Sequence, residues 1–262
     1  MARFDHPALI AAVLRETGGQ TLKAVVHCQG STSFALACAG GLVPEVTDVV
    51  SNAVSFHVDV PRLSKLQMQM LMPLLSAGYP GFDPQWTLRP TALRARLLAT
   101  WARTVRRECR EPVCQMANYT YGVGGNILWD HANIDPPTHR WIAREFGWVP
   151  TTFFRQMSRC AGAGHVVAAS GFDELPDDVV SSAPRSRPRW TFLAGSANRC
   201  FLPRSQERSF AWLDSLEPGR HALVRVPGYT HLDVFFGRDA ERDVFGHVRA
   251  ALLRGTSNPR ER

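Results

Sequence analysis

Val26-His27-Cys28-Gln29-Gly30 joins an apolar strand to a helix and puts a cysteine at the junction. The strand is Leu22–Val26, set off by the turn Gly18-Gly19. The helix begins near Ser31 and carries Phe34-Ala35-Leu36-Ala37-Cys38-Ala39 to a glycine stop at Gly40-Gly41. A tight turn at such a junction makes the side chain stand clear and aims the next backbone N–H at a reacting carbonyl. Small residues normally flank the turn. Gly30 supplies one two positions after Cys28, whereas Val26, two positions before it, is bulkier than the usual glycine.

Outward from the junction, strands alternate with helices. Further strands are predicted at Val46–Phe56, with Val49, Val50 and Val54 suited to burial, at Trp190–Ala194, and at Ala222–Val226 before Pro227-Gly228. Helices are predicted at Pro7–Glu16, Ser31–Ala39, Gln206–Leu216 and Asp239–Leu253. The last carries Val244, Phe245, Val248, Ala251 and Leu252 at helical spacing. This alternation predicts an α/β fold with a mostly parallel sheet. Between Asp59 and Arg187 the pattern changes to helical segments (Leu63–Leu75, Thr91–Glu108, Thr138–Phe146, Thr152–Arg159), with many prolines and aromatics and no central strand. Inserted between two sheet strands, it reads as a cap that excludes water and shapes a pocket. The chain thus divides into a first core part at 1–58, a helical cap at 59–187, a second core part at 188–254 and a polar tail at 255–262.

With 262 residues, 45% of them apolar and 20% charged, the chain has a soluble globular composition and the length for one sizeable core. Its net charge of +7 is arginine charge, since Lys23 and Lys65 are the only lysines. The basic residues are scattered and lack the interleaved aromatics of a nucleic-acid platform, so no nucleic-acid partner is expected. The longest apolar run, around Met68–Leu75, is broken by Pro73, and no membrane span is expected. Six cysteines form no CxxC pair and no zinc spacing, and no signal peptide is expected, so reduced cytoplasmic thiols are predicted. Cys109 and Cys114 flank Glu111-Pro112 in a predicted loop and read as buried or incidental thiols. His57, His131, His139 and His165 read as cap or core residues; neither metal nor cofactor is expected.

Three residues follow one another in an order that nucleophilic catalysis can use. Cys28 ends the first strand. Asn198 follows the third, in Gly195-Ser196-Ala197-Asn198-Arg199-Cys200-Phe201-Leu202-Pro203, and His231 follows the fourth, in Pro227-Gly228-Tyr229-Thr230-His231-Leu232-Asp233. Loops at the carboxyl ends of parallel strands bring such residues to one crevice. A thiol becomes a strong nucleophile when an imidazole takes its proton or holds the thiolate. Asn198 is expected to accept a hydrogen bond from the other ring nitrogen, and Gln29 N–H to donate to an oxyanion. Plainer readings stand beside these. Cys28 can be an inert small hydrophobe, His231 a surface residue, Asn198 a turn residue, and Asp233 a helix cap or surface acid. Ser31 and Ser33 are expected to cap the helix, and His27 to point away from Cys28 across the strand.

With these residues in place, the chain resembles the α/β-hydrolases found beside or fused to GMC-type, cholesterol-oxidase-like oxidoreductases in actinobacteria. The resemblance rests on Ala24-Val25-Val26-His27-Cys28-Gln29-Gly30-Ser31-Thr32, Glu111-Pro112-Val113-Cys114, Gly195–Pro203 and Pro227-Gly228-Tyr229-Thr230-His231-Leu232-Asp233-Val234-Phe235-Phe236-Gly237. It runs from about Pro7 to Leu253 and implies an α/β-hydrolase core with a helical cap, with Cys28 and His231 as catalytic positions. Two departures stand out. Relatives often carry an acidic residue just before the asparagine, where this chain has Ala197. A full α/β-hydrolase also places its elbow after about five strands and takes a second oxyanion donor from the loop after the third. Here one helix precedes the elbow strand, so an incomplete, N-terminally truncated sheet is expected. Three explanations stay open: the missing half is a separate partner chain, self-association covers the open edge, or the start codon is misplaced.

The sequence therefore predicts a cysteine-dependent acyl-transfer enzyme: a thioesterase, esterase, acyltransferase or lactone-forming cyclase. The cap aromatics Trp86, Trp101, Tyr119, Tyr121, Trp129, Trp141 and Trp148 point to a bulky apolar small-molecule acyl substrate, such as a polyketide or sterol-like ester. The alternatives are a non-hydrolytic ligand-binding or scaffold subunit of a split hydrolase, and an elimination or rearrangement catalyst.

Overall fold

The computed structural model describes residues 1–71, 78–169 and 171–255. Four parallel strands form the central sheet in chain order: β1 (Leu22–His27), β2 (Val46–Asn52), β3 (Arg189–Gly195) and β4 (Ala222–Val226). Helix α1 (Asp5–Thr17) precedes β1, and α2 (Gln29–Gly40) connects β1 to β2. Between β2 and β3 come α3 (Leu93–Val105), α4 (Pro112–Tyr121), α5 (Pro136–Glu145) and α6 (Thr151–Ala163). Helix α7 (Arg204–Leu216) joins β3 to β4, and α8 (Gly246–Leu253) closes the described chain. Val25 pairs with Val50, Val50 with Thr191 and Thr191 with Ala222.

Side chains on a strand alternate between faces, and the sheet uses both. Val49, Trp190 and Phe192 point into the larger core with α2, while Val50, Leu193 and Val226 face Val244 and Ala251 on the other side. Trp190 and Phe192 stack at 5.6 Å. Strand β1 lies at one edge of the sheet, with Val25 exposed. A third apolar cluster, of Phe82, Leu98, Ala102, Met116, Tyr119 and Phe154, belongs to the segment between β2 and β3. No described helix is long and apolar enough to cross a membrane.

Several boundaries differ from expectation for local reasons. β2 stops at Asn52 rather than Phe56, because Ala53 turns the chain at φ 76° and Val54 N–H bonds back to Asn52 O at 3.0 Å. Val54 and Phe56 stay fully buried without being in a strand. The final helix is preceded by a π-helical turn at Glu241–Phe245. The segment expected to hold no central strand carries a short antiparallel ladder apart from the central sheet, Gly81–Phe82 against Val149–Pro150. Helix α4 replaces the loop expected around Glu111-Pro112. Pro112 sits at the first helical position, where its missing N–H costs nothing, and the Glu111 carboxylate accepts from Cys114 N–H. Residues 72–75 of the expected Leu63–Leu75 helix, and the tail beyond Gly255, lie outside the described residues.

Candidate active site

Cys28 stands between β1 and α2 at φ 52° and ψ −123°. L residues rarely adopt this conformation, which costs about 1–3 kcal/mol. The junction imposes it. Cys28 N–H remains bonded to Asn52 O at 3.4 Å, while Cys28 O already accepts from Ser31 N (3.0 Å) and Thr32 N (3.1 Å) of the helix. One residue must change from strand to helix, and Cys28 is that residue. Gly30 does not have the role expected of it, since a Cβ there would meet nothing within 4 Å.

His27, the last residue of β1, does not point away from the junction. Its ring lies 4.6 Å from that of His231, and Cys28 Sγ lies within 4.8 Å of a ring nitrogen of each histidine. Ser31 and Ser33 do not cap α2, because the helix starts two residues earlier than expected, at Gln29. Ser31 Oγ sits 2.6 Å from Ser51 Oγ in the core, and Ser33 Oγ donates to Gln29 O and Gly30 O.

The loop after β4 delivers His231. Leu232 N–H donates to Leu128 O at 2.8 Å, and Asn52 Nδ2 donates to His231 O at 3.2 Å. Asp233 is fully buried rather than a surface acid. Its Oδ1 accepts from Thr230 N and Thr230 Oγ1, and its Oδ2 from Asp130 N and Asn133 Nδ2. Those four bonds use up a carboxylate's capacity, so Asp233 clamps the loop and does not orient the imidazole.

Asn198 meets His231 in the opposite sense to the one expected. Its Oδ1 is occupied by Cys200 N (3.0 Å) and Phe201 N (3.1 Å), which leaves Nδ2 facing His231 Nδ1 at 3.4 Å. A donor at Nδ1 places the imidazole proton on Nε2. The turn after β3 consumes the asparagine oxygen; that is why the amide donates. Asn52, which sequence reasoning missed, does the same to His27, donating from Nδ2 to Nδ1 at 2.9 Å. Its only sequence signal is its place at the end of β2, in register with His27. His27 Nε2 and Asn52 Oδ1 remain buried without a hydrogen-bond partner among the described residues.

Burial sets the protonation of the site. It pushes the Cys28 thiol up to about 12, against a smaller opposing pull from the Gln29 backbone N–H. It pulls His27 down to about 4, and His231 well below the usual imidazole range, with the neighbouring His27 adding to the shift. At rest the pair is a neutral thiol and a neutral imidazole. Beside Cys28 lies a cavity of about 20 Å³, lined among others by Met68, Tyr121, Phe153, Met157 and Phe201. That is room for about one water. A second, largely apolar recess of about 310 Å³ shares Phe153 and Met157 with it and reaches Gln29 and Thr32.

A second group of histidines and cysteines sits in the segment between β2 and β3. Cys109, Cys114, His131 and His139, expected as incidental thiols and separate cap histidines, present ligand atoms all within 4.8 Å of one another.

No protein-family model and no curated protein matches the sequence. Among solved structures, the monoacylglycerol lipase of Paleococcus ferrophilus matches with a TM-score of 0.53 and 12% identity, over 94% of this chain and 73% of the lipase. A Mycobacterium tuberculosis H37Rv protein described as a non-heme bromoperoxidase matches with a TM-score of 0.50 and 15% identity, over 94% of this chain and 70% of its own. The likeness is one of fold, a mostly parallel α/β sheet with helices, and this chain spans about three quarters of the length of the lipase it resembles.

Proposed function

We propose that this protein is a cysteine-dependent acyl-transfer enzyme acting on ester or thioester bonds, with Cys28 as nucleophile and His231 as its proton carrier. The observation that carries this reading is the backbone of Cys28, a non-glycine residue held at φ 52° beside a buried histidine. Residues strained in this way cluster at active sites. Cys28 Sγ attacks the carbonyl carbon as its proton passes to His231. The developing oxyanion faces Gln29 N–H at the start of α2. His231 returns the proton to the leaving alcohol or thiol, and water or another acceptor then releases the acyl group from sulfur. Because the resting pair is neutral, proton transfer accompanies attack and does not precede it. His231 must then offer a bare nitrogen to the thiol, so its 3.4 Å contact with Asn198 rearranges as substrate seats. Displacing Phe153 and Met157 joins the small cavity to the 310 Å³ recess, giving an apolar slot suited to a bulky acyl chain.

A second reading, a ligand-binding protein without covalent chemistry, is favoured by the thiol held near 12 and by the donor amide on His231. One experiment separates the two. The protein is incubated with p-nitrophenyl esters and acyl thioesters of increasing chain length, and intact and peptide mass spectrometry follow. The acyl-transfer reading expects an adduct on Cys28 and a loss of turnover of about 10³-fold or more in Cys28→Ala. Binding without an adduct, or turnover that survives Cys28→Ala, decides for the second.

A further inference from the structure

We propose that the segment between β2 and β3 holds a structural zinc ion on Cys109, Cys114, His131 and His139. This site is separate from the Cys28 junction and does not depend on the proposed acyl chemistry.

The distances fit a tetrahedral ion. With zinc–sulfur bonds of about 2.3 Å and zinc–nitrogen bonds of about 2.0 Å, a sulfur and a nitrogen on one tetrahedral zinc lie about 3.5 Å apart. Cys114 Sγ is 3.4 Å from His131 Nε2, and Cys109 Sγ is 3.6 Å from His139 Nε2. Both histidines turn Nε2 to a sulfur, and the four ligand atoms converge within 4.8 Å. Two thiolates and two imidazoles form a donor set that selects zinc among the common divalent ions.

The surroundings are those of bound ligands. Glu111 N–H donates to Cys109 Sγ at 3.3 Å and Asn118 Nδ2 to Cys114 Sγ at 3.5 Å, bonds that favour the thiolate form. His131 Nδ1 lies 3.3 Å from Asn126 Oδ1, so its N–H is directed to an amide oxygen and Nε2 is left bare for a metal. Binding releases the two thiol protons and leaves a neutral centre. The ligands come from the loop after α3, the first turn of α4, the 126–133 segment and the start of α5. A metal there ties these four pieces together.

That closure reaches the histidine loop. Asn118, one turn after Cys114, accepts from Ile127 N (3.1 Å) and Leu128 N (3.0 Å) through Oδ1. Leu128 O in turn accepts from Leu232 N, beside His231. The zinc braces the segment against which the His231 loop is docked.

His27, Cys28 and His231 also converge within 4.8 Å, but they offer one sulfur, not two. The test therefore compares the two groups. The full chain is prepared without a metal-binding tag, and its metal content is measured by plasma mass spectrometry, then again after exchange into cobalt. We expect about one zinc per chain. The cobalt form should show the visible bands of a tetrahedral centre with two thiolate charge-transfer contributions. Both signals persist in Cys28→Ala and disappear in Cys114→Ser and His139→Ala. If those two variants do not fold, the cobalt spectra of the unmodified chain and of Cys28→Ala decide alone. Three results overturn the proposal: a folded chain that takes up no stoichiometric metal, metal lost in Cys28→Ala, or a Cys109–Cys114 disulfide seen as a mass lighter by two hydrogens.

Discussion

Cys28 and Cys114 each lie beside histidines, yet their settings are built on opposite terms. At the junction, Cys28 occupies a strained backbone, and His27 Nε2 and Asn52 Oδ1 are buried without partners among the described residues. Around Cys114 the helix is regular, both sulfurs accept N–H bonds, and His131 has an amide oxygen behind it. The second group holds two sulfurs and the first holds one, and the partners of those sulfurs differ too. Strained residues cluster at active sites and supported ligands mark metal centres, although Asn126 behind His131 is held at φ 52° as well. The two cysteines should therefore respond to substitution with opposite signs. Cys28→Gly removes the positive-φ strain and is expected to raise stability by about 1 kcal/mol while lowering acyl transfer by about 10³-fold or more. Cys114→Ser removes a metal ligand and is expected to cost about 3 kcal/mol, or about 10 °C in the unfolding midpoint for a chain of this size. Thermal scans of both variants with and without chelator check this. Shifts of the same sign would erase the contrast.

Protonation sharpens the comparison next. Burial holds His27 and His57 down to about 4, with the nearby Arg208 charge also lowering His57. The unfolded chain protonates such imidazoles near the ordinary value of about 6.5. Between those limits the unfolded state binds more protons, so stability falls as pH is lowered through the window. The slope is at most about 1.4 kcal/mol per pH unit for each histidine, and the loss levels off below about 4. Chemical denaturation at pH 7, 6 and 5 measures it. Since His231 is also held neutral and the Cys28 thiol is raised to about 12, kcat/KM should stay flat between about pH 5 and 8. A limb near 6.5 would mean that the site opens to solvent and forms a thiolate–imidazolium pair.

The junction was legible in the sequence because its logic is local. An apolar strand, one cysteine and a glycine-stopped helix fix where Cys28 sits, and strand order places Asn198 and His231 at the same end of the sheet. What stayed hidden depends on which atom of a side chain is already taken. The Asn198 oxygen is consumed by its own turn, and the four bonds of Asp233 come from residues about a hundred positions apart as well as from Thr230. His27 escaped because its place beside Cys28 depends on where the loop after β4 sets His231. The Cys109–Cys114–His131–His139 group has the spacing Cys-x4-Cys-x16-His-x7-His, and no short-range pattern unites it. Only the packing of α4 and α5 against the 126–133 segment does so. Reading Glu111-Pro112 as a loop hid the helix turn that aims Cys114 inward.

The smallest expected effect tests where the demands of the junction lie. Steric crowding at an elbow predicts that any side chain at Gly30 clashes, yet an added Cβ there has nothing within 4 Å, and the glycine lies in the first turn of α2. Gly30 is also absent from the positive-φ glycines, so it needs no conformational freedom. Alanine in a helix is favoured over glycine by about 0.5–1 kcal/mol. Gly30→Ala is therefore expected to stabilise the protein slightly and to leave turnover within about twofold, which a denaturant titration and a rate measurement check. A large loss of activity with unchanged stability would show that a substrate passes over Gly30, and would move part of the requirement from the backbone of Cys28 to the approach above α2.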